Sequence, residues 1–596
     1  LLLLPIVKRK RRFFDTLLIL SRKIAPNQLM ILLSIVIGFL GGMVAVIMKN
    51  IVYYLRQFLT GGFSINYSNI QYAIYPAIGI LLTIIFVKYI LRHEVRDGIP
   101  NVLYAISKQQ GFIKKHNMFS SIISSALTVS FGGSVGLEGP TVVTGAAYGS
   151  NLAKMLGLNY KQVVSVLGFA SAAAMSAIFK APIAAIVFAL EVILFDMTMT
   201  ALVPLLLSSI VAALTSYFFL GQDVLYPFEV KYHFDMTETF YYIGLGIFSA
   251  LVSVYFIKTY VFTGKLFDRL KGWGWKFLIG GIALGLLIFL LPSLYGEGYE
   301  DINEALRGNM SFVFHESMFY GFKDNVAIGL ILLFGILVLK VVATSITFRA
   351  GGVGGIFAPT LFIGAMAGLF FAQVLNHLGI TSIPVSNYAL VGMAGLLAGV
   401  VHAPLTAIFL IAEITGGYEL FLPIMLVATI SYGITHLLSP KSIYTIQLAN
   451  RGEHITHNKD QAVLTMMDVS GLVEHNFSTV RPDATLGDLV KIIANSTRNI
   501  YPVVDEEQNF YGIIILDQIR HIMFKPEMYN TSVRDLMFMP SNVVNWNDDM
   551  ETVASKFQKS GKYNLVVLKG VKYEGFVSRA NVFSKYRQLL KDFSEE

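Results

Sequence analysis

The sequence predicts a polytopic α-helical membrane protein built from two inverted repeats, with a smaller α/β tail behind it. Three observations carry this. Uncharged runs recur from about residue 28 to residue 450, two unrelated motifs return at nearly one offset, and the composition turns charged from about Thr465. A helix that crosses a bilayer needs about 20 mostly apolar residues.

Composition supports the class. Of 596 residues, 55% are hydrophobic and 14% charged, where soluble domains carry about 25% charged residues. The formal net charge of +8 owes much to Lys8-Arg-Lys-Arg-Arg12. That run precedes the first span and reads as a cytoplasmic orientation signal, not a nucleic-acid patch. The chain has no cysteine, which excludes disulfides, thiolate metal sites and cysteine nucleophiles. Leu1-Leu-Leu-Leu-Pro5 lacks the basic segment and cleavage site of a signal peptide.

In chain order, residues 1–27 form a cytoplasmic N-terminal lead-in. Leu29–Met48 and Tyr72–Val87 are spans. Apolar pieces follow at roughly 119–131, 141–157, 161–179, 181–194 and 200–220. Several are too short to cross upright, which predicts tilted, broken or re-entrant helices meeting inside the protein. Phe240–Ile257 and Phe277–Leu291 span again, with a basic cytoplasmic loop (Lys265, Arg269, Lys271, Lys276) between them. The polar tract Glu297–Asp324 is expected outside the membrane. Val326–Leu339 and the pieces from Gly355 to Leu438 complete the membrane part.

The repeat is internal. Ala181-Pro-Ile-Ala-Ala-Ile-Val-Phe-Ala-Leu-Glu191 matches Ala403-Pro-Leu-Thr-Ala-Ile-Phe-Leu-Ile-Ala-Glu413, with prolines 222 residues apart (404 − 182). Gly136-Leu-Glu-Gly-Pro140 echoes Gly355-Ile-Phe-Ala-Pro359 at 219 (359 − 140). Duplicated halves in membrane transporters are often inverted, with the substrate site near the midplane between them.

The candidate site lies in Phe131-Gly-Gly-Ser-Val-Gly-Leu-Glu-Gly-Pro140. Glycines let backbone amides approach a ligand, and Pro140 is placed to open a helix. Such a helix start suits an anion. Glu138 is a titratable group in an irregular membrane segment, which makes it a functional candidate.

From Thr465 the pattern reads as two α/β units. Val480–Val490 is a short strand entering a helix, and Tyr501–Asp505 pairs with Gly512–Leu516 as a hairpin. The scheme returns as Val543–Trp546, a helix near 549–560, Asn564–Leu568 and Gly575–Ser578.

The ordered motifs Gly98-Ile-Pro100, Gly136-Leu-Glu-Gly-Pro140 and Gly355-Ile-Phe-Ala-Pro359, with Tyr444 in Ser439-Pro-Lys-Ser-Ile-Tyr444, resemble the CLC family of chloride channels and chloride/proton exchangers. The resemblance covers residues 28–450. After a linker at 451–464, the tail is similar to a cytoplasmic pair of cystathionine-β-synthase-type (CBS) modules at 465–528 and 529–596. The resemblance implies a homodimer in the lipid bilayer, with one pathway for small anions per subunit. Glu138 falls at the family's gating glutamate. The amides of Ile356 and Phe357 and the hydroxyl of Tyr444 fall at the central chloride. Gly136, Leu137 and Gly139 supply further amides around the gate. Cofactors other than bound chloride ions are not expected in the membrane part.

Two positions depart from the family pattern. Asp97 stands where most members have a serine beside the inner anion site. It is a candidate inner-site residue that makes anion binding pH-dependent, or else a cap for the helix that Pro100 begins. Val192 stands where well-known exchangers carry an inner proton glutamate, while Glu191 before it is retained and reads as structural. The resemblance thus implies chloride transport that is channel-like or weakly proton-coupled. Chloride/proton antiport stays open, because some members without that glutamate exchange. Fluoride-selective exchange is disfavoured by Tyr444 and the third motif. CBS pairs often bind adenine nucleotides, but the first module has Ile515 and Gln518 where a hydroxyl and an aspartate are needed. The second has Ser578 and Asn581. A structural role is therefore expected of the pair. A CBS-regulated cation transporter is the rival of another class. No nucleophile–base pair or metal-ligand spacing indicates an enzyme. Both termini are expected in the cytoplasm, at the plasma (inner) membrane.

Overall fold

Proline at the first helical position starts the first span, and the apolar run carries it to 35 residues, Pro26–Thr60 (α1). The structure, a computed structural model, describes residues 24–594 apart from 63–68, 94, 96–97, 194–198, 223–225, 227, 229–232, 450–462 and 465–466. The basic run Lys8–Arg12, Asp97 and most of the linker lie outside the described residues. Two compact units divide the chain, residues 1–455 and 456–596.

The first unit is all helical. After α1 come α2 (Gln71–Ile85), α3 (Gly98–Lys108), α4 (Asn117–Ser130), α5 (Glu138–Met155), α6 (Tyr160–Phe179) and α7 (Pro182–Phe188). Then follow α8 (Met199–Leu220), α9 (Thr239–Asp268), α10 (Trp273–Leu290), α11 (Tyr299–Leu306) and α12 (Val326–Ala350). The last five are α13 (Phe357–His377), α14 (Val385–Val401), α15 (Pro404–Ile414), α16 (Phe421–Leu438) and α17 (Ile443–Ala449). Among the described residues, nine helices are long and apolar enough to cross a membrane. The short pieces α7, α14 and α15 are mostly buried, as segments that meet inside a protein must be.

The repeat seen in sequence is physical. Lys180 ends α6 and His402 ends α14, both left-handed (φ 58° and 62°), each before an Ala-Pro that starts the next helix. Helices α5 and α6 pack through Gly145 and Gly149, and α13 and α14 through Gly364 and Gly368, again 219 residues on (364 − 145). A Cβ on Gly145 would stand 2.7 Å from the Ala170 carbonyl, and one on Gly364 2.6 Å from Met393 Cα. Small residues let membrane helices approach this closely.

Crossed caps set the relation of the halves. Glu191, in a single π-turn at the end of α7, accepts the Leu405 and Thr406 amides at the start of α15 at 3.1 and 2.7 Å. Glu413, near the end of α15, accepts the Ile183 and Ala184 amides at the start of α7 at 3.0 and 2.7 Å. Helices that cap each other end to start run antiparallel, so the repeats are inverted. Both carboxylates satisfy N–H groups that a helix cannot pair itself.

One expectation fails in part. The tract from Glu297 is not wholly peripheral: Glu297 is 8% exposed, and its turn reaches Leu137 and Glu138. A polar stretch reads as solvent-facing from composition, but its polar atoms here find partners inside the protein.

The second unit holds two α/β modules. In the first, α18 (Leu486–Ala494) starts in a capping box of Thr485 and Asp488 and is followed by a hairpin of β2 (Ile500–Val504) and β3 (Phe510–Ile515). Val480 forms only an isolated parallel bridge to Val503. In the second, α19 (Met550–Ser560) precedes β5 (Asn564–Lys569) and β6 (Lys572–Ser578). A four-stranded sheet has the order β1-β6-β5-β4, with β1 at Val473–Glu474 and β4 at Val544–Asn545. A strand at the start of the first module thus completes the sheet of the second, which favours the pair folding together.

The caps give a stability prediction. Glu191→Ala leaves two helix-start amides without an acceptor and should cost about 2 kcal/mol, the range for hydrogen bonds to a charged group. Thermal unfolding in detergent should show a lowered midpoint, and an unchanged one would show the cap to be idle.

Candidate functional site

Three glycine motifs from distant parts of the chain meet at one point. Gly136 and Gly355 form a two-way antiparallel bridge, with N–H to carbonyl distances of 2.8 and 2.7 Å. A Cβ on Gly139 would stand 3.2 Å from Gly355 Cα and 3.6 Å from Gly98 Cα. Only glycine permits three backbones so close together. Helix α5 begins two residues after Gly136 and α13 two residues after Gly355. The bridge therefore sets two helix N-termini against each other, each with unpaired N–H groups and partial positive charge.

Glu138 is the first residue of α5 and is 1% exposed. The Tyr299 hydroxyl donates to its Oε1. Its Oε2 is buried without a hydrogen-bond partner among the described residues, and the helix-start amides of Glu138 and Ala358 act electrostatically on the same carboxylate. Nearby, Ile356 caps α13 and Phe357 is its first residue. Their amides have no protein acceptor among the described residues. The Phe357 ring is held between Phe179 and Phe188, at 6.1 and 5.7 Å between centroids, which fixes the backbone that carries those amides.

Tyr444 completes the set. Helix α17 packs on α3, which carries Gly98-Ile-Pro100. Among the described residues the Tyr444 hydroxyl is buried without a hydrogen-bond partner, and it lies within electrostatic reach of Glu138. Buried donors without acceptors are costly. Two amides and one hydroxyl left open beside paired helix ends suit a small anion that comes and goes. Neutral donors can replace its hydration shell without holding it permanently.

Other expected positions resolve differently. Of the three amides expected around the gate, that of Gly136 donates to Gly355 and that of Leu137 to Glu297 Oε1 at 3.1 Å. Neither is open to an anion in this arrangement, because each has a protein acceptor. Only the Gly139 amide lacks one among the described residues. Val192 is buried next to the capping Glu191. In the tail, Ser578 Oγ accepts the Asn581 amide at 3.2 Å, and Asn581 Nδ2 donates to Glu474 Oε1 at 2.8 Å. Ser578 bonds within its own module, and Asn581 ties it to β1 of the other. Ile515 ends β3, and Gln518 lies just beyond it.

Sequence reasoning missed Glu297 and Tyr299, which hold the Leu137–Glu138 peptide from outside. Gly296-Glu-Gly-Tyr299, a carboxylate between two glycines like Glu138 itself, was the available signal.

A helical membrane protein whose inverted halves oppose two helix ends around neutral donors is built to pass small anions. The chain belongs to the voltage gated chloride channel family, whose model matches residues 79–436. A CBS domain model matches residues 469–525. Over 393 residues the chain is 31% identical to a putative ClcB-like chloride channel protein of Ralstonia nicotianae, covering 63% of this chain and 84% of that one. It is 28% identical to the H(+)/Cl(-) exchange transporter ClcA of Yersinia pseudotuberculosis, covering 65% and 78%. The solved structure of a CLC-type fluoride/proton antiporter superposes with a TM-score of 0.57 at 26% identity, over 70% of this chain and 98% of that one.

The crossing of loops gives a second prediction. In Gly355→Ala the new Cβ would stand 2.8 Å from the Gly139 nitrogen, so the helix ends must part. Chloride flux per reconstituted protein should fall by up to roughly a hundredfold, the scale of a misplacement of about 1 Å at a site. Wild-type flux in the variant would mean that the loop crossing does not shape the pathway.

Proposed function

We propose that the protein carries chloride and similar small anions across a membrane through a pathway gated by Glu138, channel-like or only weakly coupled to protons. One observation carries the reading: amides of the two opposed helix starts act on the Glu138 carboxylate, beside the open donors of Ile356, Phe357 and Tyr444. An ionised Glu138 competes with an anion for those ends, and a protonated one yields to it.

Weak coupling is supported by the inner side of the repeat. Val192 has no titratable group, and both carboxylate oxygens of Glu191 are engaged by α15. Neither residue is free to relay a proton. The antiporter alternative keeps the support of the exchanger among the relatives. Against a cation transporter, no cluster of three or more metal-ligating side chains stands among the described residues.

In this reading the protein is a homodimer of multi-pass subunits in the plasma (inner) membrane. Lys8–Arg12 before the first span supports cytoplasmic termini. The internal bonds of Ser578 and Asn581 support a structural CBS pair over one that senses adenine nucleotides.

Proteoliposomes with an outward chloride gradient, read by a chloride electrode and external pH together, test the reading. Wild-type protein should release chloride with little proton uptake, and Glu138→Gln should release it with no dependence on external pH. Stoichiometric proton uptake that vanishes in Glu138→Gln would replace this reading by antiport. No chloride release from wild-type vesicles would overturn it.

A further inference from the structure

The two inverted halves close their helix ends with different chemistry. In the first half Lys180 follows α6, and its ammonium donates to the Leu220 and Gly221 carbonyls at the end of α8, at 3.4 and 2.9 Å. The Tyr217 hydroxyl returns a bond to the Lys180 carbonyl at 3.2 Å. A cation thus lies where the C-terminal ends of α6 and α8 meet, and helix C-termini favour positive charge.

In the second half the corresponding residue is His402, left-handed like Lys180 and 222 positions further on (402 − 180). It follows α14 and packs on the end of α16, where Tyr432 and His436 stand one helical turn apart on one face. The ring centres of His402 and His436 are 5.6 Å apart, those of His402 and Tyr432 5.8 Å, and those of Tyr432 and His436 5.6 Å. Three rings therefore form a near-equilateral triangle where two more helix C-termini meet, and a neutral imidazole brings no cation to them.

A separate observation points to a ligand. His402 Nε2 is buried and has no hydrogen-bond partner among the described residues. Buried polar atoms are rarely left so, because the lost hydration is not repaid. The titratable group that acts on His402 is the second imidazole, His436. His436 is exposed, which leaves the pair open to a small solute.

We propose that His402 and His436 bind one divalent transition-metal ion of the zinc type where the ends of α14 and α16 meet. Imidazole nitrogen suits such ions. With metal–nitrogen bonds of about 2.0–2.1 Å, two imidazoles on one ion have ring centres roughly 5–6 Å apart, the spacing found here. The ion takes the place that the Lys180 ammonium takes in the other half. Two protein nitrogens leave the rest of its coordination to water, so it is a reversible ligand and not cargo. It joins the junction from which α15 starts to α16, next to the first amides of α15 that Glu191 holds. The inference goes beyond the anion-pathway reading and does not depend on it.

The test uses the full chain without an affinity tag, in detergent, stripped with EDTA and desalted. Wild type, His402→Asn, His436→Gln and His93→Gln are titrated with zinc sulfate by calorimetry and melted with and without zinc. Asparagine tolerates the left-handed backbone at position 402, and position 436 is exposed, so both variants should fold. His93, stacked on His116, controls for zinc held by other histidines. Wild type and His93→Gln should bind zinc at micromolar concentration and melt at a higher temperature with it, because a ligand of the folded state stabilises that state. His402→Asn and His436→Gln should each weaken this binding by at least about tenfold, the least that even a supporting partner of a metal ligand contributes. Both should also lose the rise in melting temperature. Equal zinc binding by all four proteins, or none by wild type below millimolar zinc, would overturn the site.

Discussion

Two hydrogen bonds between Gly136 and Gly355 fix the arrangement on which the rest of the membrane unit depends. They press together the starts of α5 and α13, each worth roughly half a positive charge. Two such ends repel in a low-dielectric interior unless negative charge lies between them. Glu138 supplies it from the first residue of one helix while an amide of the other acts on it. The same electrostatics that keeps the gate in place makes a halide the natural substitute. In the proposed reading, gating and binding are one competition for one pair of helix ends.

The surrounding scaffold keeps those ends from separating. Glu191 and Glu413 cap each other's helices across the repeat boundary, and the glycine pairs of α5 and α13 let each lie against its partner helix. Duplication explains why each device appears twice, at offsets of 219 or 222 residues. The two halves differ where function needs them to differ. The first repeat carries Glu138, and the second carries Phe357, one residue before Ala358, at the corresponding helix start. One half supplies the buried carboxylate and the other the open amides.

Much of this was legible in the sequence. The uneven apolar pieces marked the broken helices, the recurring Pro and Glu marked the inverted halves, a glycine-rich break marked Glu138, and the family resemblance marked Ile356 and Phe357. Other features depend on contacts between distant segments that spacing does not encode. The Leu137 amide is taken by a glutamate 160 residues later, and that of Gly136 by a carbonyl 219 residues later. Glu297 and Tyr299 sat in a tract whose polarity resembles an ordinary loop, and only the fold turns it inward. Likewise β1 joins the sheet of the other module, because strand pairing is settled by proximity and not by local pattern.

The central claim is that an anion rests between the Ile356 and Phe357 amides and the Tyr444 hydroxyl. Crystals of the full chain grown in bromide, measured at the bromine absorption edge, test this most directly. The account predicts an anomalous peak within hydrogen-bond distance of those three donors, stronger in Glu138→Gln than in wild type. Bromide found only elsewhere, in protein that still transports it, would contradict the account.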